Sequence, residues 1–356
     1  EETNETKEAN LHSLLDAFGV KVASVTLLEG RYFDTYDVEL KYGERSAKLD
    51  KLLKDIGISL RAYSHPIGSP SMRDGVYKIS IQTKEISPPS FSCIYENLDL
   101  NHYTPVSIGV DTRGEPISLD LNKMPNILIG GTTGSGKSVL LHNFILSLIG
   151  GSSSVYLIDP KMVEFSCYSG ISSVKEIVYS VRDASRLIDD IIDIMEDRFM
   201  LLQSSRVRDA KEYNKRTNKK QMMEPIVLII DEWADLTLQD KLIQKKLCLL
   251  AQKGRAAGIS IILATQRPST NVISGLIKAN FPARIALKVA SAVDSRVILD
   301  IGGAEKIQDI GTGLYLDGTL SEPKMFRAPN ITNVNWELRR LGIKKAKISL
   351  WKRLLF

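Results

Sequence analysis

Cysteine is scarce. Cys93, Cys167 and Cys248 are odd in number and far apart, and no two of them have the spacing of a metal-ligand pair. This excludes a disulfide framework and fits reduced, buried thiols of an intracellular protein. Histidine is as sparse, with His12, His65, His102 and His142 scattered along the chain, so no zinc or iron site is expected. No apolar run approaches membrane-spanning length, and nothing at the N-terminus has the pattern of a signal peptide. Strong charge of either sign is lacking too. The 47 Lys and Arg against 42 Asp and Glu leave +5, too weak a balance to argue for a nucleic-acid partner by itself. There is no internal repeat and no low-complexity segment. The chain opens on Glu1-Glu2 rather than on methionine. A fragment is therefore expected, cytoplasmic in itself, with room for a membrane anchor in a longer parent.

What is present is core material. Hydrophobic residues make up 43% of 356 residues, enough for about two domains of ordinary size. Residues 1–10 are polar and expected to be disordered. In 11–86, Leu11, Leu14, Leu15 and Phe18 share one helical face, and Val22–Leu28 and Thr35–Leu40 read as strands. Leu49, Leu52, Leu53 and Ile56 predict a second helix, ended by Gly57, and residues 76–81 alternate as a strand does. This predicts a small α+β domain. Residues 87–104, opened by Ser87-Pro88-Pro89-Ser90, read as a linker. Residues 105–330 hold a series of apolar strands separated by helices, the pattern of a mostly parallel sheet covered on both faces. In that series Asp183 is expected to cap a long helix through Gln203, and Leu242–Ala257 to be helical. Residues 331–356 are a basic amphipathic tail.

The stretch around which this larger unit is organised is Ile127-Leu128-Ile129 followed by Gly131-Thr132-Thr133-Gly134-Ser135-Gly136-Lys137-Ser138. An apolar strand runs into G-x-x-x-x-G-K-S, the Walker A pattern, and an apolar helix follows. Glycines let consecutive N–H groups turn toward phosphate oxygens, Lys137 reaches the β/γ-phosphates, and the Ser138 hydroxyl ligates Mg²⁺. ATP and Mg²⁺ are the expected ligands. Ile226–Ile230 is an apolar strand ending in Asp231-Glu232. Ligands of open α/β sheets sit at the carboxyl ends of strands, so Asp231 is expected to hold Mg²⁺ through water and Glu232 to polarise the attacking water. Gln266 ends the next strand, where an amide can sense γ-phosphate or simply be a strand-end polar residue. Arg255 ends the preceding helix and reads either as an arginine finger or as a cation on a helix C-terminus. Residues 204–220 carry seven basic side chains against two acids. They form a solvated loop or a DNA-facing one, with Arg206, Arg208, Lys211, Lys215 and Arg216 as its phosphate contacts. Arg267 and Lys278, beyond the Gln266 strand, are a second candidate surface.

With these residues in view, the chain resembles the motor region of the FtsK/SpoIIIE family of DNA translocases, in the FtsK–HerA class of P-loop ATPases. The resemblance rests on 131–138, Leu157-Ile158-Asp159-Pro160-Lys161, Asp231-Glu232-Trp233-Ala234-Asp235-Leu236, 251–259 and 263–269. It continues through 275–280, 294–296 and 302–305, and 11–86 is similar to the family's α domain. It implies a RecA-like core in a hexameric homo-oligomeric ring around double-stranded DNA, hydrolysing ATP to move along it, with Arg255 as the finger reaching a neighbouring subunit. Two departures stand out: Trp233 replaces the usual Phe, and the C-terminal winged-helix domain is absent. The resemblance therefore implies translocation more firmly than chromosome segregation. Conjugative coupling and viral DNA packaging remain alternatives, and a secretion-type ATPase acting on protein is a more distant one.

Overall fold

The computed structural model describes residues 3–82, 87–98, 104–218, 221–320 and 322–345. The chain begins with α1 (Asn4–Ala17), β1 (Val22–Leu28), β2 (Asp34–Leu40), α2 (Ala47–Ser59), β3 (Ile67–Ser71) and β4 (Val76–Ile81). The four strands form an antiparallel sheet in the order β1-β2-β4-β3, and Leu11, Leu15, Leu49, Leu53 and Ile56 of the two helices are buried with it. Two local expectations are corrected here, and one strand is added. The first ten residues are helical from Asn4 on, because their polar side chains dock rather than fray. Thr3 caps α1, Lys7 Nζ lies 2.6 Å from Glu29 Oε1, and Glu8 Oε1 accepts the Leu27 N–H at 2.6 Å. Helix α2 runs past Gly57 to Ser59. That glycine serves a close approach, since a Cβ there would sit 2.6 Å from Pro66 Cδ. Strand β3 was hidden by Gly68 and Pro70, both tolerated because β3 is an edge strand.

The segment 87–104 is expected as a linker, yet it carries α3 (Phe91–Glu96), capped by the Ser90 hydroxyl. Phe91 and Ile94 are buried in the core that follows, whereas Cys93 on the same helix is exposed, unlike the buried thiol expected.

Next come β5 (Pro105–Val110), β6 (Pro116–Asp120), β7 (Asn126–Gly130), α4 (Lys137–Ile149), β8 (Ser154–Ile158), β9 (Val174–Val178), α5 (Val181–Ser204) and α6 (Ala210–Arg216). They are followed by β10 (Ile226–Ile230), α7 (Trp233–Thr237), α8 (Leu242–Lys253), β11 (Ile259–Thr265), α9 (Gly275–Asn280), β12 (Ala283–Leu287) and α10 (Ala292–Leu299). Last are β13 (Thr312–Leu316), β14 (Lys324–Arg327) and α11 (Val334–Arg340). One ten-stranded sheet results, in the order β6-β5-β14-β13-β12-β7-β11-β10-β8-β9. The run from β12 to β9 is parallel, and the remainder is antiparallel. Alternate residues of the central strands enter separate cores. Leu128, Leu228 and Leu263 pack on one face, and Ile127, Ile229 and Ile262 on the other. A strand buried on both sides has no polar face to display, which is why these segments are uninterrupted apolar runs.

Helix α5 is capped by Ser180, whose hydroxyl accepts the Asp183 N–H at 3.0 Å. Asp183, the expected cap, lies in the first turn instead, where a carboxylate suits the helix dipole. Helix α8 stops at Lys253 rather than continuing to Ala257, and Gly254 N–H closes it on Leu250 O. The expected loop 204–220 contains α6, capped by Asp209; Lys219 and Lys220 lie outside the described residues. In the tail, α11 buries Leu338, while 346–356, with Trp351 and Leu354, lie outside the described residues. Among the described residues no helix is long and apolar enough to cross a membrane.

Candidate active site

The parallel strands are in register, and their carboxyl ends line up. Thr265 of β11 is paired with Gly130 of β7, and Ile230 of β10 with both Leu263 of β11 and Ile158 of β8. Asp231, Asp159 and Gln266 are each the residue that follows its strand. Strand register therefore brings 131–138, Asp159, 231–232 and 265–266 to one edge of the sheet.

The 131–136 loop wraps from β7 into α4. Gly134 and Gly136 have φ of 79° and 96°, a region that L side chains resist. A Cβ on Gly136 would also meet Gly311 N at 2.8 Å. The loop is pinned from behind: Thr132 N–H and Oγ1 donate to Lys288 O, and Gly311 N–H donates to Ser135 O at 2.9 Å. Among the described residues, the N–H groups of Thr133, Gly134 and Gly136 have no protein acceptor, and Ser135 Oγ is buried without a partner. The first-turn N–H groups of α4 add further donors. A cradle of unspent donors at a helix N-terminus fits a phosphate chain.

Lys137 is 3% exposed, and its Nζ lies 2.5 Å from Asp231 Oδ1 and 2.7 Å from Asp231 O. Ser138 Oγ donates to Glu164 Oε1 at 2.8 Å. Glu164 was not anticipated. It arrives because the Asp159 carboxylate accepts the N–H groups of Glu164 and Phe165 and folds the chain back, while Asp159 Oδ1 stays buried and unpartnered. The only sequence signal was its place three residues after Lys161. His142, 3.6 Å from the other Glu164 oxygen, holds this carboxyl below the usual carboxylate range, and the Ser138 hydroxyl assists against the opposing effect of burial. Ser138 and Asp231 are hard oxygen donors of the kind Mg²⁺ takes, usually with several waters retained; among the described residues no group of three or more acidic, histidine or cysteine side chains is placed to hold a metal ion without such waters.

Glu232 is 2% exposed and fully engaged. Its Oε1 accepts the Thr265 hydroxyl at 2.7 Å and the Ala234 N–H at 3.3 Å. The Gln266 N–H donates to both oxygens, and Lys161 Nζ stands 3.8 Å from Oε2. The Gln266 side chain accepts the Thr133 hydroxyl at 2.9 Å, so the strand end and the glycine loop are joined directly.

The remaining candidates are not part of this cluster. Arg255 is exposed and precedes β11, at the opposite edge of the sheet from Gln266. Seven residues of strand separate the two ends, about 20 Å. Helix α6 lies beside Arg255, because Ala210 N–H donates to Ala256 O at 2.8 Å. Arg206, Arg208, Lys215 and Arg216 are exposed there, Lys211 is half-buried, and Arg216 is paired with Glu212. Arg267 is exposed at the other edge, beyond Gln266. The two basic groups are thus on different edges, not one surface. Lys278 has its ammonium paired with Asp300, which Arg284 also engages. The partner could not be read from sequence, since Asp300 lies 22 residues later.

A parallel α/β sheet carrying a Walker A loop, with acidic and amide residues on adjacent strand ends, defines the RecA-like class of P-loop NTPases. The chain belongs to the FtsK/SpoIIIE family, whose model matches residues 99–270. The DNA translocase FtsK of Staphylococcus epidermidis is 37% identical over 321 residues, an alignment covering 86% of this chain and 40% of that protein. The chain therefore spans about two fifths of the length of the curated relatives it matches. Among solved structures, the pCW3 conjugation coupling protein TcpA, in a monomer form with ATPγS, is 25% identical with a TM-score of 0.67. That match covers 94% of this chain and 99% of that one. The cytoplasmic domain of the type VII secretion ATPase EccC from Thermomonospora curvata shares the fold, with a TM-score of 0.59 and 24% identity over 67% of this chain and 30% of that one.

Proposed function

We propose that this chain is the ATP-hydrolysing motor of a double-stranded DNA translocase, with 11–86 as a small accessory domain and 105–330 as the motor domain. The observation that carries the proposal is the convergence of Lys137, Ser138, Asp231, Glu232 and Gln266 on one sheet edge around unspent loop donors. The loop N–H groups and Lys137 hold the β- and γ-phosphates. Ser138 and Asp231 would hold Mg²⁺, and the ion would supply positive charge to offset that of the phosphate oxygens. Glu232 takes a proton as water attacks the γ-phosphorus and the bond to the β–γ bridging oxygen breaks. Gln266 orients that water.

Arg255 is too far from its own site to act there. It serves the site of a neighbouring subunit in a hexameric ring, where a finger arginine supplies on the order of 10³–10⁵ in rate. DNA is gripped through phosphates by the α6 region and by the loop beginning at Arg267.

The test is hydrolysis with and without long linear duplex, followed by displacement of a third strand from a triplex on that duplex. Stimulation and displacement are expected. Neither occurring would remove the DNA-motor reading. The end-to-end correspondence with TcpA favours conjugative coupling as a second reading. Its arm of the test is co-purification with a DNA-nicking enzyme or a transfer channel.

A further inference from the structure

The Thr265 side chain is fully buried, yet its hydroxyl is not idle. It accepts the Arg267 N–H at 3.1 Å and donates to Glu232 Oε1 at 2.7 Å. A hydroxyl has a single proton, and with a backbone N–H directed into its lone pair that proton is committed to the carboxylate. The Gln266 N–H adds bonds of 3.2 and 3.0 Å to the two oxygens of the same carboxylate. The segment 267–270, exposed at Arg267, Ser269 and Thr270 and buried at Pro268, thus starts from a grip on Glu232. A few residues further on it is tied again, because Trp233 Nε1 donates to Val272 O at 3.1 Å. This loop is anchored at both ends to consecutive buried residues, 232 and 233.

We propose that Thr265 is a positioning residue that transmits contact between duplex DNA and the 267–270 loop to Glu232. This rests on the DNA-motor reading above. A phosphate contact that shifts the backbone at Arg267 by a fraction of an ångström alters the geometry of the hydroxyl between them. A hydrogen bond weakens steeply with misalignment, so the orientation of Glu232 changes with it. Duplex binding thereby sets how well the carboxylate faces the attacking water. The coupling is a binding free energy and must run both ways: nucleotide at the site alters duplex affinity.

The experiment compares the intact chain with Thr265→Val, which keeps the shape and removes the hydroxyl, and Thr265→Ser, which keeps the hydroxyl. Thr265→Ala stands in if valine does not fold. Two quantities are read: the ratio of hydrolysis rates with and without saturating long linear duplex, and duplex affinity with and without ATPγS. In Thr265→Val the rate ratio is expected to fall to about one, and the effect of ATPγS on duplex affinity to vanish, while duplex affinity without nucleotide stays. Thr265→Ser should keep both within about twofold of the parent. If hydrolysis by the valine variant is too slow to give a ratio, the affinity measurement decides alone. Retention of parental coupling by the valine variant overturns the proposal, and so does equal loss in valine and serine. If the parent itself shows neither stimulation nor nucleotide-dependent duplex affinity, the DNA-motor reading fails, and this inference with it. That result is distinct from loss of coupling in a variant alone.

Discussion

Lys137 and Asp231 form a buried ion pair, 2.5 Å apart and 3% and 1% exposed. The pair makes the lysine a structural as well as a chemical residue. Removing one partner of a buried pair strands the other charge, at a cost of about 3–5 kcal/mol. Lys137→Ala is therefore expected to abolish hydrolysis and also to lower the urea midpoint substantially. Asp231→Asn added to it should recover most of the lost stability and none of the activity. Equal stabilities of parent and Lys137→Ala would show that the pair contributes nothing to the fold.

Glu232→Gln preserves the size of the side chain and removes its ability to accept a proton. Nucleotide affinity should remain, and hydrolysis should drop on the order of 10²–10⁴-fold. Equilibrium binding and phosphate release measured on one preparation check both halves. Normal turnover would place the proton acceptor elsewhere, with Glu164 the next group to try.

Arg255 is exposed and belongs to no packed cluster, so Arg255→Ala should leave stability within about 0.5 kcal/mol of the parent. Alone it is expected to bind ATP and not to complete the neighbouring site. Mixed with Lys137→Ala subunits it should regain part of the activity, because interfaces with an intact loop and an intact arginine then form. A mixture as inactive as each parent, in rings shown by mass to be mixed, would assign Arg255 a role within its own subunit.

Duplex binding should be insensitive to sequence and steeply dependent on salt, falling by orders of magnitude between roughly 50 and 200 mM. Because the two basic groups lie on opposite edges of the sheet, they can be separated. Arg267→Ala and Arg206→Ala/Arg208→Ala should lower the salt slope by about one for each phosphate that is no longer neutralised. A surface whose substitution leaves both affinity and slope unchanged does not touch the duplex. Lys278→Ala, by contrast, should act mainly through its pair with Asp300, and this should be visible in stability rather than in salt dependence.

Burial pushes the thiols of Cys167 and Cys248 up to about 11, while Cys93 is exposed. A raised thiol pKa means less thiolate, which is the reactive form, and at pH 8 only about one molecule in a thousand would carry it at those two positions. Iodoacetamide at pH 8 is expected to label Cys93 first, with the other two following only on unfolding or at much higher pH. Peptide mass mapping reads this directly. Early labelling of Cys248 would show that α8 opens.

The central strands were legible because burial on both faces leaves a strand no polar residues to alternate with. β10 coincides with its apolar run, Ile226–Ile230, residue for residue. Strands β9, β13 and β14 were not. β9, Val-Lys-Glu-Ile-Val, sits at an edge and carries charge. β13 contains Gly313, retained because a Cβ there would sit 2.5 Å from the Phe326 ring of the paired strand, a proximity invisible in local sequence. In the site, residues that follow strands directly could be placed by counting. Glu164 could not, since its position depends on a carboxylate five residues earlier accepting its N–H. The pairing of Lys278 was hidden for the same kind of reason, as it depends on where α10 ends.

The stretch that matches the family, 99–270, holds every residue of the proposed chemistry, yet the glycine loop is braced by Lys288 and Gly311, and β7 is flanked on one side by β12. A signature in sequence and an autonomous folding unit are therefore different objects here. A fragment trimmed to the signature would turn an interior strand into a raw sheet edge and leave the phosphate loop without its backing. Such an edge invites pairing with other chains. The recognisable part of this chain is not the part expected to stand by itself.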